Sequence, residues 1–153
     1  MPGIRESRFV RFTARQMFDL VADVGSYPQF LPWVIATRIR SDDEREMIAD
    51  MLVGFDKFRE KFTSLVHKRA PYEIGVEYVE GPMRSLENSW RFTPTESGGC
   101  RIDFSVQFVF RSSVFEKLAG QQFDRAFRKM VSAFLGRAEA LYGSSSSSAT
   151  SAA

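Results

Sequence analysis

Residues 100–143 read CRIDFSVQFVFRSSVFEKLAGQQFDRAFRKMVSAFLGRAEALYG, and the spacing of the large apolar residues changes once along them. Ile102, Phe104, Val106, Phe108 and Phe110 take every second position, with Asp103, Ser105 and Gln107 between them, the period of a strand with one buried face. From Ser113 the interval becomes helical: Phe115, Leu118, Phe123, Phe127, Met130, Phe134, Ala138 and Leu141 fall on one side. Ser113 and Glu116 have the spacing of a capping box, and Gly143 has the position of a C′ stop. A Phe-rich strand followed by a long amphipathic helix is therefore expected.

Upstream, the period of two recurs. Met47, Ala49, Met51, Val53 and Phe55 share one parity, then Phe58, Phe62 and Val66 share another across a short turn near Asp56 and Lys57, as in a hairpin. Tyr72, Ile74, Val76 and Tyr78 line a further strand, Gly81 and Pro82 turn the chain, and Leu86, Trp90 and Phe92 line another before the loop Thr95 to Gly99. Residues 4–12 read as a first strand. Thr13 and Gln16 then form a T-x-x-Q capping box, with Phe12 and Met17 placed as a hydrophobic staple and Met17, Leu20, Val21 and Val24 as the apolar stripe of a short helix. Trp33, Ile35, Thr37 and Ile39 alternate as a half-buried strand does. No internal repeat is visible. Residues 144–153, SSSSSATSAA, have no apolar period and are expected to be disordered, which leaves residues 1–143 as a single domain.

The short connections imply antiparallel pairing. Six or seven strands at about 4.8 Å spacing make a sheet nearly 30 Å wide, whereas one helix with its side chains is about 10–12 Å across. One helix cannot cover that face. A sheet curled round the helix needs the short first helix and residues 25–33 as a roof, with volume left between them. Residues 25–33, GSYPQFLPW, crowd Tyr27, Phe30, Leu31 and Trp33 around Pro28 and Pro32, and so much stiff apolar bulk on a connection calls for a partner: core, ligand, membrane or another protein.

Composition narrows the class. The 153 residues include 15 Phe, so the interior is built from large flat side chains, and a net charge of +2 does not demand nucleic acid while still suiting an anionic membrane surface. A single cysteine, Cys100, excludes an internal disulfide and a multi-cysteine metal site. The opening MPGIRESRFV lacks an apolar run of signal-peptide length, and no segment approaches the roughly 20 apolar residues of a bilayer span. The expectation is a cytoplasmic location, peripheral at the inner face of the membrane where it meets one.

Little in the sequence speaks for catalysis. His67, the one histidine, has the parity opposite to Phe62 and Val66 and should face outward. Cys100 has no second cysteine or histidine near it in sequence, and no phosphate-loop, G-x-S-x-G or metal-ligand spacing occurs. Asp42 and Asp43 fall in a turn, which leaves Glu60, beside Ser64 on the parity of Phe58 and Phe62, as the one acid placed for pocket chemistry.

The run Tyr27-Pro28-Gln29-Phe30-Leu31-Pro32-Trp33, then Gly81-Pro82-Met83 with Leu86-Glu87-Asn88 and Trp90-Arg91-Phe92, and finally Phe123-Asp124-Arg125-Ala126 after the Phe-rich strand, resemble the COQ10 branch of the START (polyketide cyclase-like) superfamily. The resemblance covers nearly the whole chain up to Gly143. It implies an α+β helix-grip fold, START/Bet v 1-like, in which a curved antiparallel β-sheet wraps a long C-terminal α-helix around a hydrophobic cavity. It further implies non-catalytic binding of coenzyme Q (ubiquinone) or another polyprenyl lipid, delivered to respiratory or quinone-biosynthesis enzymes, with ubiquinone as ligand and no cofactor or metal. The family also holds bacterial members described as ribosome-associated toxins, so inhibition of translation is the alternative, and a cyclase-like enzyme a third.

On the lipid reading the ligand-binding residues are Phe30, Leu31 and Trp33 of the roof, Phe58, Phe62, Ser64, Asn88, Trp90, Phe104 and Phe108 of the sheet, and Phe123, Phe127, Met130 and Phe134 of the helix. Ser64 and Asn88 either donate to the oxygens of a quinone head or hydrogen-bond within the protein. Arg125, Arg128, Lys129 and Arg137 form a solvated helix face or meet lipid phosphates or RNA.

Overall fold

The alternation at residues 100–110 is realised in full: in the strand Cys100–Phe110 every even-numbered residue is buried and no odd-numbered one is. The computed structural model describes residues 3–55 and 58–143. Its strands are β1 (Gly3–Val10), β2 (Val34–Asp42), β3 (Glu46–Phe55), β4 (Phe58–Arg69), β5 (Glu73–Glu80), β6 (Met83–Pro94) and β7 (Cys100–Phe110). They form one sheet in the order β1-β7-β6-β5-β4-β3-β2, antiparallel throughout. Consecutive strands pair except at β1, which lies beside β7 with Gly3 opposite Gln107 and Val10 opposite Cys100. Between β1 and β2 the chain leaves the sheet as α1 (Ala14–Ala22) and a 3-10 turn (Val24–Gln29), so the two edges of the sheet are connected over its concave face.

The expected caps and turns explain several boundaries. The Thr13 hydroxyl accepts from the Gln16 N–H at 3.0 Å while the Gln16 side chain accepts from the Thr13 N–H at 2.9 Å, and Phe12 and Met17 are both buried beside this cap. At the β5–β6 turn Gly81 adopts φ of 149°, and a Cβ there would lie 2.8 Å from the Tyr78 hydroxyl and 2.9 Å from the Lys61 carbonyl, so only glycine fits. Gly99 answers a different need: a Cβ would lie 2.0 Å from the Val10 carbonyl, so its hydrogen lets the end of β1 close on β7.

The carboxy-terminal helix departs from the sequence expectation in four respects. It runs as α2 (Ser113–Arg128) and α3 (Met130–Ala138), interrupted at Lys129, and ends in a π turn (Glu139–Gly143). Its N-cap is Ser112, whose hydroxyl accepts from the Phe115 N–H at 3.3 Å, and Ser113 is the first helical residue. Leu118 and Leu141 are exposed. Gly143 completes the π turn without the left-handed φ of a C′ glycine. The expected β3–β4 turn at Asp56 and Lys57 and the tail 144–153 lie outside the described residues, while Phe55 and Phe58 pair across the hairpin.

β2 also differs. Ile35 and Ile39 are exposed and Val34 is the buried residue, because bulges between Val34 and Ala36 and between Ile39 and Ser41 reset the phase of an edge strand. The Ile35 side chain occupies the space a Cβ on Gly54 would need. Tyr72 precedes β5 and is exposed.

α1 and α3 pack against one another and close one end of the concave face, where Met17, Phe92, Ile102, Val106 and Val131 are fully buried. α2 packs on β7 and reaches β3 and β4 through aromatic rings: Phe123 sits 4.9 Å from Phe55 and 5.7 Å from Phe62, and Phe115 sits 5.9 Å from Phe58.

Candidate functional site: an apolar cavity

Between the helices and the concave face the packing leaves a cavity of about 130 Å³. An apolar cavity of about 150 Å³ accommodates a benzene-sized molecule, so this one has room for a single ring. Its floor is sheet: Phe62, Val66, Ile74, Val76, Trp90 and Phe104. Its ceiling is Phe123, Ala126 and Phe127 of α2 with Met130 and Phe134 of α3. Val21, Val24 and Tyr27 close one end and Trp33, Met51, Val53 and Phe55 another. The rings support one another, with Trp90 tilted against Phe104 at 4.7 Å and edge-on to Phe134 at 5.1 Å.

Polar groups on this wall are few. The Tyr27 hydroxyl donates to the Val21 carbonyl; its enclosure first, and the charge of Asp23 second, push its pKa upward, so it remains a neutral donor. The Asn88 amide nitrogen donates to the Ser105 carbonyl at 2.8 Å, an internal bond of the kind weighed from the sequence. Only the nitrogen can face a carbonyl, so the Asn88 oxygen is directed elsewhere as an acceptor. Ser64 adds a hydroxyl to the lining.

Of the residues named from the sequence, Trp33, Phe62, Ser64, Asn88, Trp90, Phe104, Phe123, Phe127, Met130 and Phe134 line the cavity, and Phe30, Leu31, Phe58 and Phe108 do not. Phe30 packs edge-on against Phe134 at 5.1 Å and beneath the Arg137 guanidinium at 5.3 Å, while Arg137 donates to the Gln29 side chain at 2.7 Å. Arg137 is thus a clamp on the 3-10 turn as well as part of the polar helix face. Leu31 is core, Phe58 meets Phe115, and Phe108 packs on Phe110 and Phe127. Proline placement explains the division: Pro28 lies inside the 3-10 turn and helps carry Phe30 back onto α3, and past Pro32 the chain enters the sheet with Trp33 on the wall.

Val21, Val24 and Tyr27 also reach the cavity, from helical turns that carry no period-two signal, and so do Met51, Val53 and Phe55 from the inner face of β3.

Beside the cavity lies a surface groove of about 260 Å³ bounded by Pro32, Trp33, Gly54 and Phe55 on one side and Gln122, Arg125, Ala126 and Lys129 on the other. Trp33, Phe55 and Ala126 border both hollows and form the partition between them.

Acids, the histidine and the cysteine stand off this wall. Glu60 is half-buried and does not line the cavity, and His67 lies exposed with its Nε2 2.7 Å from a Glu77 oxygen. Burial pushes the Cys100 thiol up to about 11, which keeps it protonated. Asp50 is 6% exposed, and bonds from the Thr63 hydroxyl at 2.7 Å and the Arg40 guanidinium at 2.8 Å hold its carboxyl below the usual carboxylate range. Among the described residues no group of acids, histidines and cysteine is arranged to hold a metal ion, and no helix is long and apolar enough to cross a membrane.

A curved sheet gripping a carboxy-terminal helix over an apolar hollow defines a helix-grip, START-like domain. The chain belongs to the family described as polyketide cyclase / dehydrase and lipid transport, whose model matches residues 10–135. It is 33% identical over 143 residues to the ribosome association toxin RatA of Vibrio cholerae, covering 94% of this chain and 99% of that one. To the mitochondrial coenzyme Q-binding protein COQ10 homolog B of Xenopus laevis it is 34% identical over 142 residues, 90% of this chain and 58% of that longer protein. Among solved structures, an 18 kDa protein from Caulobacter crescentus is 33% identical and superposes with a TM-score of 0.72, covering 94% of this chain and 99% of that one. The Zhui aromatase/cyclase of Streptomyces sp. R1128 superposes at 0.79 with 16% identity over 90% of this chain and 93% of its own, a likeness of fold.

Proposed function

We propose that this protein binds a polyprenylated quinone without transforming it and delivers it between the membrane and the enzymes that make or use it. The observation that carries this reading is the cavity of about 130 Å³: one ring fits, walled by aromatic and aliphatic side chains and offered a donor by the Ser64 hydroxyl. A quinone head occupies the cavity and its tail passes the partition of Trp33, Phe55 and Ala126 into the groove. Burial of each CH₂ contributes about 0.8 kcal/mol, so every isoprene unit adds to the cost of crossing water unaided and to the value of an apolar sleeve. Similarity to a coenzyme Q-binding protein supports this choice of ligand, and the lack of an acid or histidine on the cavity wall argues against chemistry there.

The test is to extract the purified protein with organic solvent and identify the lipid by mass spectrometry. A quinone at a substantial fraction of the protein concentration is the expected result; lipid-free protein that also takes up no quinone from vesicles would refute the carrier.

A second reading, association with ribosomes, is favoured by the names of relatives at 33–35% identity. It predicts salt-sensitive co-sedimentation with large ribosomal subunits that is lost when Arg125, Arg128 and Lys129 become Ala.

A further inference from the structure

Two of the exposed large apolar residues, Val114 and Leu118, are 65% and 54% exposed and stand one turn apart on α2. At about 100° per residue, Gln122, Arg125 and Lys129 continue the same stripe toward the end of the helix. This outward face therefore begins apolar and ends cationic, with Lys117 and Arg128 along its flank. Asp124 lies beyond that flank, paired with Arg128 at 2.8 Å, and Glu116 lies farther round the helix, beside Phe108 and Phe110. The cationic end of the stripe is also the rim of the groove at the Trp33, Phe55 and Ala126 partition.

We infer that this face of α2 docks on a bilayer surface bearing anionic headgroups. Val114 and Leu118 enter the acyl boundary while Arg125 and Lys129 meet phosphates, a division of labour along the helix axis that suits interfacial binding. Charge complementarity selects an anionic surface, and the shared rim gives docking a purpose: the groove opens onto the lipid from which a cargo comes. The inference rests on the lipid reading for that purpose, but the contact itself is measurable without cargo.

Flotation of the purified protein with vesicles of phosphatidylcholine alone, and of two parts phosphatidylcholine to one part phosphatidylglycerol, tests it. Binding should require phosphatidylglycerol and weaken with salt. A basic residue near an anionic surface changes partitioning about five-fold, so Arg125→Glu with Lys129→Glu should lower it by at least about 25-fold. Val114→Asp with Leu118→Asp should abolish flotation yet keep bound lipid and thermal stability, since neither residue lines the cavity. Absence of flotation in the wild type, or flotation unaffected by both pairs of substitutions, overturns the inference. So does a wild type that ignores vesicles but loses self-association or ribosome co-sedimentation through these substitutions. Flotation without any quinone in the purified protein would instead sink the proposed cargo and leave the docking face standing.

Discussion

The two ends of the sheet are built from the same alternating strands, yet one is solid and the other hollow. Where α1 packs on α3 and on β6, with Phe18 edge-on to Phe92, the concavity is filled, and Phe92, Ile102 and Val106 have no exposed surface. Toward β3 and β4, α2 must bridge the space from its seat on β7, and it does so with Phe115 and Phe123 reaching Phe55, Phe58 and Phe62 ring to ring. The difference teaches that the hollow follows from counting helices against sheet width. Side-chain size then decides how much of it remains.

The largest expected effect tests this contrast directly. Phe92→Ala in the solid end should cost about 3–5 kcal/mol in chemical denaturation, whereas Met51→Ala, half-buried and bordering existing space, should cost no more than about 2 kcal/mol. Equal losses would mean that the two ends are packed alike. Next in size is the roof, which divides the same way. Phe30→Ala removes a ring held by Phe134 and Arg137 and should lower stability by about 2–3 kcal/mol with quinone retention near normal. Trp33→Ala should cost less stability and lower retention several-fold, and the reverse outcome would make Phe30 the gate.

The smallest effect at neutral pH concerns the outer surface of the hollow end, where Asp50 joins β3 to Arg40 of β2 and Thr63 of β4. Its folded pKa is depressed, so its stabilisation is present above the unfolded value of about 3.9 and is lost as pH falls through the folded one. Asp50→Asn should therefore flatten the acid limb of the stability curve measured from about pH 5 downward. An unchanged acid limb would remove Asp50 from its causes.

β7 was legible because every even position from 100 to 110 faces one core. The inner faces of β3, β4 and β6 were legible for the same reason, and they carry Phe62, Ser64, Asn88 and Trp90 onto the cavity wall. Parity failed wherever the backbone changes phase, as at the bulges of β2, and it hid Asp50, a polar residue on the outer parity that Thr63 and Arg40 bury. It says nothing about Tyr27, which a 3-10 turn swings into the end of the cavity. Helical spacing located α2 and α3 but not the break at Lys129, and it put Leu118 inside when the helix turns it out.

Both tryptophans of the chain, Trp33 and Trp90, border the cavity. The indole fluorescence of the protein therefore comes from its cavity walls, with no tryptophan elsewhere to dilute it. Trp90 is buried on the floor and should emit toward the blue, and Trp33 is half-buried at the partition and should emit further to the red. A quinone accepts an electron from an excited indole, so Trp90→Phe leaves an optical reporter at the entrance and Trp33→Phe leaves one at the bottom. The order in which the two dim after rapid mixing then times the passage of a ligand from the partition to the floor.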